Sequence, residues 1–407
     1  MRKCATLLLI AILALQSVLQ TSANPIWNSQ VVDSDKNGAV GYGSSLILDS
    51  NGNPHISYVD WQLRLKYAVW SIGGWNIQTV YSEAASQYTS LALDSKGNPH
   101  ITFSKSDRHS DLMYASWTSS NWDIQAVNVD PADTLNGFSS LVLDSNDNPH
   151  ISYTDFSSKK LKYASNIGSG WKSQTIDSGT ASTSLALDSS GKPHVVYQNL
   201  SVYYTSKGAP IYRSFVKYAQ WTGNEWEIQT VEHPYGQPIG FCPSLALDSE
   251  GNPYISYFDD VGSLGYAYWD GHNWSFNQIS SAIAEHEFSY VNGLTSIRLD
   301  SSNNPHISYY DGVENLSYAS SNGSFWSTQI VEQIRGTTEV HASLALDSEG
   351  NPHISYCDND LKHATLASVI QSQYISYFVV GLTVIALILG TLLFRKWKKR
   401  SRPNCFI

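Results

Sequence analysis

One pattern, S-[LI]-x-L-D-S-x-[GDN]-[NK]-P-[HY]-[IV], recurs seven times along the 407 residues, with its aspartates at Asp49, Asp94, Asp144, Asp188, Asp248, Asp300 and Asp347. The first six copies run on to a Tyr-Ala pair and then to a W-x-x-Q segment. These pairs are Trp75/Gln78, Trp122/Gln125, Trp171/Gln174, Trp226/Gln229, Trp274/Gln278 and Trp326/Gln329, the fifth stretched by one residue. The seventh copy stops after Leu361-Lys362-His363-Ala364, while an orphan Trp27-Asn28-Ser29-Gln30-Val31-Val32 stands before the first. The last copy lacks the ending that the N-terminus holds spare.

A repeat of about 40–50 residues with several short strands is one blade of a propeller, and a missing last strand matched by an extra first one closes the ring. The sequence therefore predicts an all-β chain: a seven-bladed β-propeller closed by an N-terminal strand, plus one C-terminal transmembrane helix. In the first copy strand a is Ser45–Leu48, strand b His55–Tyr58, strand c Leu65–Ala68 and strand d Trp75–Val80. In strand a large Leu alternates with a position that is Ala92, Ala186, Ala246 or Ala345 in four copies. That period of two suits a strand packed on both faces. In the D-S-x-G-N-P turn the Asp can accept backbone N–H groups as an Asx-turn. The position two before Pro is Gly52, Gly97, Gly191, Gly251 and Gly350, and Asp147 or Asn303 elsewhere. Those residue types tolerate positive φ best. His55, His100, His150, His194, His306 and His353 each start a strand b, one per blade, too dispersed around a ring for a shared metal. The Gln of strand d suits an amide bonded to the adjacent blade.

The termini read differently. Arg2-Lys3, an apolar run from Leu7 to Leu19 and small residues at Thr21-Ser22-Ala23 make a secretory signal over 1–23. The propeller is expected at 24–364, a juxtamembrane linker at 365–374, an uncharged spanning helix at 375–394 and a basic tail at 395–407. This predicts a single-pass protein of the cell membrane, ectodomain outside and C-terminus cytoplasmic. The exterior part holds 17 Lys+Arg against 35 Asp+Glu, a formal charge of −18. Such a field excludes nucleic acid and disfavours anionic surfaces. Cys242 and Cys357, the cysteines left after the signal and the tail, fall in separate blades and predict no disulfide framework. Asn199, Asn273, Asn315 and Asn322 sit in glycosylation triplets. No GxxxG stripe pairs the helix with a copy of itself, so a monomer is the default.

Two connections per copy keep a fixed length: six residues from the repeat Asp to the residue after Pro, and seven from the strand-c Ala to the strand-d Trp. The other two vary. From the aromatic of strand b to that of strand c is 9, 11, 10, 21, 9 and 9 residues, and from Trp to the next repeat Asp 17 to 26. Uniform loops mark scaffold and variable ones function, so a ligand is expected on the variable, outward face. Its longest loop, Gln198 to Ser214, carries Tyr203, Tyr204 and Tyr212. A ring of carboxylates ends strand b at Asp60, Asp155, Asp259, Asp311 and Asp358, broken by Lys105 and Asn199. These tyrosines and acids are the candidate ligand contacts, although the acids equally suit capping of the turn that follows. Asp33, Asp35 and Asn37 match the first half of a calcium loop, but Ser44 stands where a bidentate Glu belongs, so calcium binding is expected to be weak. No other cofactor and no catalytic residue is assigned.

The turns resemble those of surface propellers with Asp-box or NHL-like motifs on secreted microbial proteins, across residues 27 to 364. The resemblance implies fold more than activity, since such propellers host lectins, hydrolases, lyases and scaffolds. Sialidases are similar in their Asp-boxes, S-x-D-x-G-x-x-W, but the Trp is missing here. Only Arg64, Arg108, Arg213, Arg298 and Arg335 lie in the exterior part to hold a substrate carboxylate. The expected function is membrane-anchored recognition or adhesion, with a glycan or protein as ligand. The alternative is a cell-surface glycoside hydrolase or sialidase-like ectoenzyme using two ring carboxylates about 5–9 Å apart.

Overall fold

The computed structural model describes residues 26–106, 111–127, 135–168, 170–178, 180–204, 210–231, 239–259, 262–280, 295–311, 314–334 and 341–366. These residues build seven four-stranded antiparallel sheets, six of them in the order a-b-c-d. In blade one the strands are Val40–Leu48, Pro54–Asp60, Leu65–Ser71 and Gly74–Tyr81. Blade seven takes strands a, b and c from Ala342–Leu346, Pro352–Asp358 and Asp360–Leu366, and its outer strand is Trp27–Asp33. The ring closes as the orphan segment predicts. Val32 is buried in one cluster with Val40, Leu46, Tyr58 and Leu361, so the closing strand shares a core with blade one.

The a–b turns repeat almost atom for atom. Asp49 Oδ1 accepts the N–H groups of Asn51 and Asn53, both at 2.8 Å, and its Oδ2 accepts the Asn53 amide at 2.8 Å. The residue two before Pro has positive φ in all seven copies, including 63° at Asp147 and 62° at Asn303. The turn therefore selects Gly, Asp or Asn by backbone conformation.

The Ser that opens the motif has a role the pattern does not reveal. Its Oγ accepts the N–H of the following motif residue in the next blade, at 3.0–3.3 Å. Ser45 serves Leu91, Ser90 serves Leu141, and the chain of bonds passes through Ser140, Ser184, Ser244 and Ser296 to Ser343. Ser343 serves Leu46 across the closure. Inner strands have no hydrogen-bonded neighbour on the channel side, and an orphaned buried N–H costs about 1–3 kcal/mol. A serine small enough to reach across supplies the acceptor seven times.

Blades one and two approach closest at Gly43. A Cβ there would lie 1.6 Å from the Gln87 carbonyl oxygen, and φ is +55°. Gly43→Ala is expected to destabilise by on the order of 3–5 kcal/mol, because two backbones rather than one side chain must separate. Urea melts should show a lower midpoint at unchanged slope; an unchanged midpoint would mean that the blades are not packed this tightly.

Outside the channel the recurring side chains join blade to blade. Trp122 Nε1 donates to Gln78 at 3.3 Å, Trp171 to Gln125 at 3.3 Å and Trp274 to Gln229 at 3.2 Å. In blades one, two and four the strand-d Gln is thus the acceptor for the next blade's indole, while Trp75 and Trp226 Nε1 have no such partner among the described residues. His55, His100, His150, His194 and His306 each hydrogen-bond through Nδ1 to the strand-c Tyr hydroxyl. Their Nε2 atoms lie 3.5–3.8 Å from the repeat Asp. In blade seven His353 meets His363 at 3.1 Å instead. Among the described residues no three His, Cys, Asp or Glu are grouped to hold a metal. Cys242 and Cys357 are free thiols.

One expectation is corrected. The segment 198–214 is not a loop but the end of a hairpin, strand b running Pro193–Tyr204 and strand c Pro210–Trp221. Pairing continues from Leu200↔Ser214 to Tyr204↔Pro210, with Tyr212 opposite Val202. At about 3.3 Å per residue these five pairs carry the hairpin roughly 16 Å past Asn199, which is level with the ends of the other b strands. β-branched and aromatic residues on both arms favour pairing, which satisfies backbone groups a loop would leave to water. The side chains of Tyr203, Tyr204 and Tyr212 lie outside the described set. So do segments 1–23 and 375–394; among the described residues no helix is long and apolar enough to cross a membrane.

Candidate functional site: the central channel

The seven inner strands surround a channel of about 160 Å³. Its wall is the ring of motif serines with Ser44, Thr89, Ser139, Thr183 and Thr295 of the neighbouring positions. Several of these hydroxyls also bond between blades, Thr89 to Ser57 at 2.7 Å and Thr295 to Ser256 at 2.8 Å. Two aromatic residues break the pattern of small polar groups. Tyr88 and Phe138, each two residues before its motif Ser, lie in contact with ring centres 4.3 Å apart and planes tilted by 36°. His341, at the same position in blade seven, meets Tyr88 edge-on at 5.1 Å. His341 is buried, neither ring nitrogen has a partner among the described residues, and burial pushes its pKa down to about 4. It is a neutral ring. Strand direction puts these aromatics on the side of the variable connections. On the other side of the serine ring, two residues after Ser296, stands Arg298. No carboxylate belongs to the described channel lining.

The predicted acids lie elsewhere, each in its own b–c turn. Asp60, 1% exposed, accepts the N–H of Gln62 and Arg64, and its Oδ2 pairs with the Arg64 guanidinium at 2.6 Å. Asp155, also 1% exposed, accepts Ser157 N–H and the hydroxyls of Ser157 and Ser158. Asp259 accepts Ser263 N–H, Asp311 the N–H and amide of Asn315, and Asp358 pairs with Lys362 at 2.9 Å. As placed, these carboxylates cap turns.

The calcium candidates are also engaged. Asp33 Oδ2 accepts the Tyr58 hydroxyl at 2.7 Å and Lys66 Nζ at 2.8 Å, while Asp35 Oδ1 accepts the N–H and amide of Asn37. The Asp33 arrangement recurs. Asp177 holds Tyr197 and Lys217, and Glu332 holds Tyr356 and Lys362, so an acid ending strand d binds the next blade's Tyr and Lys in blades one, four and seven. Burial alone would raise the Asp177 carboxyl, but the Lys217 and Tyr197 hydrogen bonds outweigh it and hold it below its ordinary range. Glu332 is held down in the same way by Lys362 and Tyr356. Each described carboxyl whose pKa is displaced is displaced downward, so the groups lack the raised pKa of a general acid at neutral pH.

A second pocket, about 290 Å³, opens beside the c–d turn of blade six. It is lined by Asp300, Asn304, His306, Asn322, Trp326 and the largely exposed Phe325.

Tyr88, Phe138 and His341 escaped the sequence reading, and Arg298 was named there without a place in the channel, because they are departures from the repeat. Tyr88 and Phe138 stand where other copies have Gly43, Ser182 and Cys242. Arg298 stands where they have Ile47, Ala92, Val142, Ala186, Ala246 and Ala345. That contrast was the available signal.

No protein-family model matches the chain. No curated protein is similar to it in sequence. Solved structures do share its architecture. An ulvan lyase of polysaccharide lyase family 25 is 12% identical, covers 83% of this chain and 96% of its own, and superposes with a TM-score of 0.58. The same lyase bound to -[GlcA(1-4)Rha3S]- matches with the same values. A lectin of Aleuria aurantia in complex with Fucalpha1-6GlcNAc is 12% identical over 66% of this chain and 90% of its own, at a TM-score of 0.45. At these identities what the chain shares with the lyase is the fold, a seven-bladed β-propeller here.

Proposed function

We propose that this protein is a membrane-anchored recognition propeller that binds a glycan at the mouth of its central channel, on the variable face. The observation that carries the reading is the channel wall: hydroxyl groups, two aromatics in contact and an arginine, with no carboxylate among its described residues. Concave sites with apolar ring faces and a few convergent polar groups suit a sugar, whereas acid–base chemistry needs a positioned carboxyl or an imidazole that titrates near neutral, and the ring of His341 is held at about 4. The described ring acids are tied into turns and ion pairs, which weighs against the hydrolase reading. That a polysaccharide lyase shares the fold at 12% identity is compatible with this reading and supplies no residue of it. Kinship with the Asp-box or NHL-like surface propellers belongs to the same proposal. So does the placement outside the cell, by the signal segment 1–23 and an anchor at 375–394; failure of an impermeant amine reagent to label the protein on intact cells would refute that placement.

A glycan array probed with the purified protein should find a ligand that Tyr88→Ala and Phe138→Ala each weaken roughly tenfold, about 1.4 kcal/mol. Wild-type affinity in the double variant, or release of reducing ends from the bound glycan by the wild type, would refute the reading. A blank array with retained binding to protein-coated surfaces would transfer it to a protein ligand.

A further inference from the structure

Arg298 is out of place by every rule of this fold. Its position in strand a is Ile, Val or Ala in the other six copies, so the scaffold does not need a cation there. It lines the channel, and it hydrogen-bonds to the carbonyl of its own neighbour, Nη1 donating to Ile297 at 2.7 Å. Among the described residues no carboxylate pairs with it. Arg298 is half-buried, and its partial desolvation holds its pKa below the ordinary value. A desolvated charge without a partner is strongly unfavourable unless something compensates it.

The same channel holds seven hydroxyls with a donor to give. Each motif Ser already accepts a backbone N–H, which fixes the oxygen, and among the described residues none donates its own proton elsewhere. All seven line the same channel. Hydroxyl donors beside a guanidinium are the chemistry that holds an oxyanion.

We propose that the channel is an oxyanion site, in which the Arg298 guanidinium and the ring of serine hydroxyls hold a sulfate, phosphate or carboxylate group. The group arrives either as a free inorganic ion or as the charged substituent of an acidic sugar. The acidic exterior repels anions at long range, so the site works by local contacts and tolerates salt better than an electrostatically steered one. The oxyanion site stands whether or not the channel mouth binds a neutral glycan.

The test is thermal unfolding of the full chain in sodium sulfate, sodium phosphate, sodium glucuronate and a sulfated monosaccharide, each against sodium chloride at equal ionic strength. Sulfate stabilises proteins generally, so the reading is the difference between wild type and Arg298→Leu. Wild type should gain a saturable rise of about 3 °C over the variant at saturating ligand, Arg298→Lys should retain part of it, and Tyr88→Ala should leave the inorganic-ion response intact. A response to the sugars but not to the free ions assigns the charged sugar as the source; the reverse assigns the inorganic ion. Without anion, Arg298→Leu should melt at or above the wild type, since an uncompensated, partly desolvated charge is gone. Equal responses in wild type and Arg298→Leu, or a leucine variant that melts several degrees lower without anion, would overturn the site. Loss of glycan binding in Tyr88→Ala with the Arg298 response intact separates the two proposals.

Discussion

Deletion of residues 24–32 should lower the melting temperature by roughly 5–15 °C and make the protein prone to self-association. The closing strand Trp27–Asp33 pairs with strand c of blade seven, and its removal turns that strand into an open edge. Burial of Val32 contributes about 1.5–3 kcal/mol, and the Ser29 and Gln30 contacts to Tyr356 and His363 are lost with it. Larger still is the loss of the shared core, because Val32 packs with residues of blades one and seven at once. Calorimetry and light scattering of the deletion variant check this. A variant that melts within a degree of the wild type and stays monodisperse contradicts closure by this strand.

Acid should unfold the protein over a narrow range. Burial holds His55, His100, His150, His194, His306, His341, His353 and His363 below the ordinary histidine value, His341 at about 4 and His363 at about 3. Their folded pKa values are depressed, so the neutral ring is the folded form and the unfolded chain takes up protons first. Stability is therefore fully present above the unfolded value near 6.5 and is lost as pH falls below it. A histidine whose pKa is displaced far down contributes up to about 1.4 kcal/mol per pH unit in that window, and His341 and His363 are displaced that far, while the others add in the same direction. Asp49 and its equivalents add to the loss further down: burial would raise these carboxyls, but hydrogen bonds from Asn53 and its counterparts hold them below their ordinary range. Melting temperature should be level above about pH 7 and fall by roughly 5 °C or more by pH 5. A flat profile from pH 7 to pH 5 would mean that the imidazoles are charged in the folded chain.

How far the molecule was legible depended on whether a feature recurs. The closing strand could be read from the count of Trp and Gln, and the turn conformation from Gly52, Asp147 and Asn303 sharing one position, since each is a local signal repeated seven times. The serine ring was half legible: Ser45 and its equivalents are fixed in the motif, but the N–H they serve belongs to the next blade, 45–61 residues away. The blade-four hairpin was misread because length alone suggests a loop, although Val202, Tyr203, Tyr204, Ile211 and Tyr212 are strong strand formers. Tyr88 and Phe138 were invisible for the opposite reason, and Arg298 was visible only as one of five exterior arginines, with nothing to place it in the channel. They define the channel by differing from the copies around them, and a reading built on recurrence passes over such positions.

The location of the binding site can be tested most directly by competition between the array-identified glycan and thiol labelling. Cys242 and Cys357 are first replaced by Ser, and a single reporter is placed at Tyr88→Cys in the channel or Asn51→Cys in a uniform a–b turn. Saturating glycan should slow maleimide labelling at position 88 at least tenfold and leave position 51 unchanged. Equal protection at both, or protection at 51 alone, would contradict a ligand seated at the mouth of the channel.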